Sequence, residues 1–276
     1  MVLTGKSAII TGGSRGIGKA IAQAFVREGA RVMLMARSQK ELGFAKQEFA
    51  KDGTQVEICA VDVSHRDEVR NLTTQAREKF GNIDIVVNAA GIYGPIGPSE
   101  KVNFDEWKNT FAINVFGTFA VLQEVLPDMR ARKHGKIINF SGGGDGPLPR
   151  FTAYSASKIS IVRLTESISA EVKDDGIDMN AIAPGPVNTL FLDQALAAGV
   201  EAVGKERYAS LLKQRAEGGV PPEKTAELCV FLASERSNGL SGKLLSAVWD
   251  DWKSWGPDEI KDIMKSDRFT LRRVNK

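Results

Sequence analysis

Residues 6–18 read Lys6-Ser7-Ala8-Ile9-Ile10-Thr11-Gly12-Gly13-Ser14-Arg15-Gly16-Ile17-Gly18. A short β-branched run passes into a glycine-rich turn and then into a helical pattern. Glycines at such a turn let the backbone bend tightly and approach a pyrophosphate, whose charge the helix N-terminus favours. The spacing is G-x-x-x-G-x-G rather than the commoner G-x-G-x-x-G. A plain loop can carry the same residues. The strand before the turn and the helix after it select the phosphate-binding reading.

The same alternation continues along the chain. Strands are expected at 6–11, 31–36, 55–61, 83–88, 136–140 and 177–182, and a seventh near 241–246. Helices are expected at 15–28, 39–51 and 66–80, closed by Gly29, Gly53 and Gly81. A long helix or a broken pair covers 104–133, with Pro127 near its last turns, and another helix covers 152–174. Strand–helix alternation predicts an α/β fold with a mostly parallel sheet and helices on both faces. The run Ile83-Asp84-Ile85-Val86-Val87 suits a strand buried on both sides. No internal repeat, low-complexity stretch or linker divides the 276 residues, so one domain, 1–276, is expected.

Composition narrows the function classes. The 37 basic and 34 acidic side chains leave a net charge of +3, which gives no reason to expect nucleic acid or an anionic membrane as partner. Cys59 and Cys229 lie far apart in apolar runs and read as buried free thiols, which suits the cytoplasm. The opening residues lack the pattern of a signal peptide. No apolar run approaches the roughly 18–20 residues of a membrane span. His65 and His134, the only histidines, show no metal-ligand spacing, so no metal is expected. His134 sits at an expected helix end, where the helix dipole favours a cation.

Tyr154-Ser155-Ala156-Ser157-Lys158 carries the candidate chemistry. Residues four apart on a helix share a face. A free phenol, with a pKa of about 10, is a poor acid or base at neutral pH. A neighbouring ammonium is expected to lower that pKa, so the pair could move a proton to or from a substrate oxygen.

Thr11-Gly12-x-x-x-Gly16-x-Gly18, Asn88-Ala89-Ala90-Gly91, Asn114, Ser141, Tyr154-x-x-x-Lys158 and Pro184-Gly185 occur in the order and spacing of the short-chain dehydrogenase/reductase family. The chain resembles the compact single-domain branch of that family over roughly residues 3–248. The resemblance implies a Rossmann-type doubly wound sheet of seven strands and hydride transfer between NAD(P) and an alcohol or ketone. It implies Tyr154 as general acid/base, with Lys158 lowering its pKa and holding the nicotinamide ribose. Ser141 would hydrogen-bond the substrate oxygen, and Asn114 would hold a water linking Lys158 to solvent. Each has a plainer reading beside it: Ser141 as a turn residue, Asn114 as a helix kink.

The resemblance also implies cofactor contacts from Gly12, Ser14, Arg15, Gly16, Ile17 and Gly18 in the first turn. Further contacts come from Asn88, Ala89 and Gly91 after the fourth strand, although Asn88 reads equally as a brace for the sheet. Asp62 and Val63 would meet the adenine, unless Asp62 is a helix cap. Pro184, Gly185, Val187 and Thr189 would border the nicotinamide. A homodimer or homotetramer is implied.

Cofactor choice turns on the end of the second strand. An acid there would hydrogen-bond the ribose 2′-hydroxyl of NAD. The chain instead has Ala36 followed by Arg37, with Arg15 able to approach from the first turn. Two cations and no acid favour NADP(H) over NAD(H).

Residues 190–216 form either a substrate-covering lid or an amphipathic helix pair. Loop 142–151 is expected at the pocket mouth, with Arg150 either meeting an anionic group or lying on the surface. The stretch 249–276 departs from the family: Trp249, Trp252 and Trp255 are followed by a short helix at 257–265 and by basic Arg268, Arg272, Arg273 and Lys276. It is expected to pack on a neighbouring subunit or border the pocket. The leading function is an NADP(H)-dependent oxidoreductase acting on a carbonyl or secondary alcohol. A non-catalytic cofactor sensor or scaffold is the alternative. The extended-branch epimerases need a longer substrate domain than 276 residues provide.

Overall fold

Seven strands form one sheet: Ser7–Thr11 (β1), Arg31–Ala36 (β2), Glu57–Ala60 (β3), Ile85–Asn88 (β4), Gly135–Phe140 (β5), Ile177–Ala183 (β6) and Leu244–Ser246 (β7). Their order is β3-β2-β1-β4-β5-β6-β7, and every pairing is parallel. A computed structural model describes residues 1–142 and 146–272 of the chain. Gly143, Gly144 and Asp145 of the expected pocket-mouth loop, and Arg273 and Lys276 of the basic tail, lie outside the described residues.

The doubly wound architecture expected from the alternation is present. Gly16–Arg27 (α1), Gln39–Lys51 (α2) and Pro222–Ala233 (α9) contribute to the core on one face. Arg66–Phe80 (α3), Gly117–Arg132 (α5) and Thr152–Glu171 (α6) contribute to the core on the other. All four β4 residues are buried, which is why that strand reads as a continuous apolar run. The helix α9 was not expected from the sequence. Pro222 at its first turn is preorganised for a helix start, and Leu228, Cys229, Phe231 and Leu232 are buried on it.

Phe104–Phe111 (α4) runs into α5 through a five-residue π turn, Ala112–Phe116. Pro127 is accommodated inside α5. This continuous helix, Phe104–Arg132, is long and apolar enough by length and composition to cross a membrane, although polar residues interrupt every apolar run within it. Its residues Val121, Leu122, Val125 and Met129 are buried in the core with β4 and β5. It is a core helix whose polar residues interrupt the apolar sequence without interrupting the apolar face.

β1 is flanked by β2 and β4, so strand order reverses there. In open α/β sheets the crevice beyond the C-terminal strand ends at such a point receives ligands. Leu190–Val203 (α7) and Lys205–Glu217 (α8) form an excursion near that crevice. Its stem is closed by the Val220 N–H donating to the Pro186 carbonyl at 2.9 Å.

The stretch from Trp249 packs on its own chain. Trp252 and Trp255 are buried in the α1–α9 core, and Pro257–Met264 (α10) follows them. The Leu244 N–H donates to the Phe269 carbonyl at 2.8 Å, so the returning chain lies against β7.

Candidate active site

A cavity of about 1400 Å³ opens along the C-terminal strand ends. That exceeds the roughly 300–1,000 Å³ of a drug-sized ligand site and leaves room for an extended ligand and a second, smaller one. Gly12, Ala36, Val61, Ala89, Ser141, Ala183 and Ser246 place residues from the ends of all seven strands on its wall.

At the β1–α1 turn, Gly12 and Gly16 have φ of 68° and 54°, conformations that favour glycine. A Cβ on Gly12 would stand 3.0 Å from the Ala89 backbone. The Thr11 hydroxyl accepts from the Ala90 N–H at 3.1 Å, which ties the turn to the loop after β4. Ser14, Arg15, Gly16, Ile17 and Gly18 line the cavity, as do Val63, Gly91, Pro184, Gly185, Val187 and Thr189. Backbone held this close to open space at the start of α1 fits a pyrophosphate, so these residues suit a dinucleotide.

Four expected contacts are engaged with other parts of the chain. The Arg15 guanidinium pairs with Glu41 at 3.0 Å, and the Ser14 hydroxyl donates to the same carboxylate at 3.1 Å. Asp62 accepts from the Ser64 N–H and hydroxyl at 2.9 and 2.7 Å, so it braces the approach to α3 while lining the cavity. Partial burial opposes its charge, but the Ser64 bonds, with Arg37 and His65 nearby, hold its carboxyl below the ordinary value. Asn88 lies in the sheet and donates to Asn139 at 2.9 Å. It is a brace between β4 and β5 and is not on the cavity wall.

Ser141, Tyr154 and Lys158 line the same cavity. The Ser141 hydroxyl is buried and has no hydrogen-bond partner among the described residues. Such a group costs free energy unless a ligand satisfies it. Gly142 lies against the phenol, with its Cβ position 2.7 Å from the Tyr154 hydroxyl, so the phenol reaches the segment just past β5. Lys158 Nζ donates to the Phe140 carbonyl at 2.9 Å and stands 5.7 Å from the Tyr154 ring centroid.

The expectation that Lys158 lowers the phenol pKa is corrected. Burial, then the neighbouring Tyr93, pushes Tyr154 well above the ordinary value of 10. Burial brings the Lys158 ammonium down to about 8. Desolvation penalises the charged form of both groups.

Asn114 sits in the π turn, where its side chain can turn inward. It accepts from the Ile92 N–H at 2.9 Å and donates to the Ile92 carbonyl and the Ser157 hydroxyl at 3.0 and 2.9 Å. It therefore binds the loop after β4 to α6, and it makes no direct hydrogen bond to Lys158 among the described residues. A Cβ on Gly91 would crowd both Asn114 and Lys158, at 3.2 and 3.4 Å.

A separate apolar cluster surrounds the phenol: Phe151, Tyr154, Leu192, Ala195, Leu196, Val203 and Leu211. Tyr93, unread in the sequence, packs edge-on to Tyr154 at 4.6 Å and against Phe191 at 4.5 Å. Arg150 is off the cavity wall and partly exposed, in keeping with the surface alternative, but its side chain is engaged within the protein. Its guanidinium donates to the Glu201 and Ala202 carbonyls at 2.7 and 3.4 Å, at the end of α7. Its own carbonyl accepts from the Gly97 N–H at 2.8 Å. The side chain thus ties the α7–α8 junction to the loop preceding Tyr154.

The histidines lie elsewhere. At His134, burial, then the Lys6 ammonium, holds the imidazole below the ordinary value. No group of metal-ligating side chains occurs among the described residues.

A glycine turn at a parallel-sheet switch point, joined in one cavity to a tyrosine, a lysine and a buried serine, defines a dinucleotide-dependent oxidoreductase fold. The family model for short chain dehydrogenases matches residues 6–198, and the chain belongs to that family. It is 33% identical over 254 residues to 3beta-hydroxysteroid dehydrogenase 2 of Eggerthella lenta, covering 89% of this chain and 94% of that one. An NAD+-bound xylitol dehydrogenase structure superposes with a TM-score of 0.80 at 26% identity, covering 89% of this chain and 98% of the other. A gluconate 5-dehydrogenase from Burkholderia cenocepacia, in complex with NADP and tartrate, gives 0.78 at 29% identity, with coverages of 88% and 94%. The chain is accordingly a hydride-transfer oxidoreductase whose fold binds a nicotinamide cofactor.

Two tests follow from this geometry. Arg150→Ala removes a charged donor from the end of α7, a contact worth about 1.5–3 kcal/mol. Hydrogen exchange across residues 187–220 is expected to accelerate about tenfold or more while the global melting temperature moves little. Unchanged exchange there would show that Arg150 does not hold α7. Secondly, burial depresses the Lys158 pKa from 10.5 to about 8, so the folded chain penalises the ammonium. The penalty is complete below pH 8 and is lifted as pH rises from about 8 towards 10.5. Lys158→Met is expected to stabilise the fold by about 1–3 kcal/mol at pH 7, with the gain shrinking at pH 10. Denaturant melts at the two pH values measure this, and an equal gain at both rules it out.

Proposed function

We propose that the protein is an NADP(H)-dependent reductase of carbonyl compounds, with Tyr154 as general acid. The observation that carries this reading is the buried Ser141 hydroxyl, unpartnered among the described residues, which shares a cavity wall with the Tyr154 phenol. Bound nicotinamide supplies the hydride. Ser141 donates a hydrogen bond to the substrate oxygen and steadies its developing negative charge. Tyr154 then gives that oxygen its proton. Lys158, with its pKa near 8, supplies positive charge beside the developing alkoxide and a group to hold the ribose. Asn114 keeps the Lys158 wall and α6 in register through Ile92 and Ser157.

Support for NADP(H) comes from Arg37. It is exposed on the cavity wall just past β2, no carboxylate ends that strand, and the guanidinium has no ion-pair partner among the described residues. A guanidinium there suits a 2′-phosphate. Glu41 favours NAD(H) as the second reading, because its carboxylate lies at the same end of the cavity and occupies Arg15. Solved relatives bear either cofactor.

The excursion α7–α8 serves as the substrate cover, since its apolar side chains surround Tyr154. Exposed Phe116 and Phe119 on one helix support a homo-oligomer. The buried free thiols Cys59 and Cys229 fit a reducing cytoplasm.

Tyr154→Phe is expected to lower turnover by about 10²–10⁴-fold in a carbonyl panel followed at 340 nm, with cofactor binding retained. Full turnover would remove the general-acid assignment. A cofactor sensor without turnover would show no oxidation of NADPH by the wild-type chain on any member of the panel. Arg37→Asp is expected to shift the ratio of kcat/KM for NADPH over NADH by at least about tenfold towards NADH. An unchanged ratio would favour the Glu41 reading.

A further inference from the structure

The tryptophan-rich stretch is only partly consumed by the core. Trp252 and Trp255 are buried, whereas Trp249 is 71% exposed and lines the cavity. Its placement is fixed by a tight turn. The Ser246 N–H donates to the Asp250 carboxylate at 2.6 Å, and the Ser246 hydroxyl accepts from the Val248 and Trp249 N–H groups at 3.2 and 3.1 Å. The Ala247 N–H continues the sheet, donating to the Ala183 carbonyl at 3.0 Å. Val248 beneath Trp249 packs over Gly185, whose Cβ position is 2.7 Å from Val248 Cγ2.

The segment beyond the turn is anchored on the same chain. Buried Lys243 donates to the Ser266 and Arg268 carbonyls at 2.9 and 3.0 Å. The Leu271 N–H donates to Glu166 at 2.7 Å. A large aromatic side chain is seldom held rigidly in solvent without a use, because its apolar area favours contact.

Position across the sheet distinguishes the ligand it faces. The cofactor residues Ala36, Arg37 and Asp62 lie at the β2–β3 side, and Ser141 lies at the end of β5. Trp249 follows β7, two strands beyond β5 and on the opposite side from β2. Two strand spacings are about 9–10 Å. A fused two- or three-ring ketone spans such a gap, and a four-carbon ketone does not. The wall near Tyr154 is likewise aromatic, built by Tyr93 and Phe191.

We infer that Trp249 is a specificity-determining residue, the far wall of a substrate site for flat, largely apolar ring ketones. This rests on the reductase reading proposed above. The test uses the full chain with NADPH and two probes, 2-tetralone and butan-2-one. The ratio of kcat/KM for 2-tetralone over butan-2-one is expected to fall about tenfold in Trp249→Ala and to stay within threefold of wild type in Trp249→Phe. A ratio unmoved by Trp249→Ala overturns the inference. Binding of 2-tetralone is measured separately by calorimetry on Tyr154→Phe and on Tyr154→Phe with Trp249→Ala. A tenfold weaker Kd in the double variant supports the inference even where the wild-type chain turns over neither ketone, an outcome that would sink the reductase reading alone. Equal affinities, or no binding by Tyr154→Phe, overturn the inference itself.

Discussion

Two polar side chains, Tyr154 and Lys158, are almost wholly buried on one cavity wall, and much of the surrounding structure makes that possible. The ammonium has one backbone carbonyl, that of Phe140, and no carboxylate among the described residues. Its neighbours must therefore be shaped with little tolerance. Gly91 leaves space where a Cβ would crowd it, and Gly142 does the same for the phenol. The π turn brings Asn114 inward to fasten the opposite wall. Desolvation then sets the protonation of both groups. It raises the phenol further above its ordinary value and brings the ammonium down to about 8.

Water is kept out by a third apolar cluster, distinct from the two that flank the sheet. Phe151 and Tyr154 belong to the main domain, whereas Leu192, Leu196, Val203 and Leu211 belong to the excursion. Seating of α7–α8 and desolvation of the Tyr154 phenol are thus the same packing event. Arg150 adds a polar tie at the end of α7. Gly199, with φ of 81°, breaks the helical path nearby.

The expected and observed molecules agree where local chemistry decides. Strand–helix alternation, the glycine turn and the four-residue Tyr–Lys spacing all act over a few residues, and each appears where the sequence places it. The disagreements have a common origin in contacts between distant residues. The occupation of Arg15 by Glu41, the two serine bonds at Asp62 and the capture of α7 by Arg150 depend on which side chains folding brings together. Tyr93 gave no signal of its own, because a tyrosine two residues past Gly91 has no pattern until Phe191 and Tyr154 close around it.

The sequence by itself determined the class of fold, the crevice where ligands belong and the residue types that meet there. Periodicity, glycine conformation and helical spacing are properties of neighbouring residues and need no knowledge of the whole. Only the tertiary structure decided the protonation of the central pair, the partners of each charged side chain, and the burial of two tryptophans with a third left at the cavity. Those outcomes depend on dielectric environment and three-dimensional proximity, which are created by the packing of residues far apart in the chain.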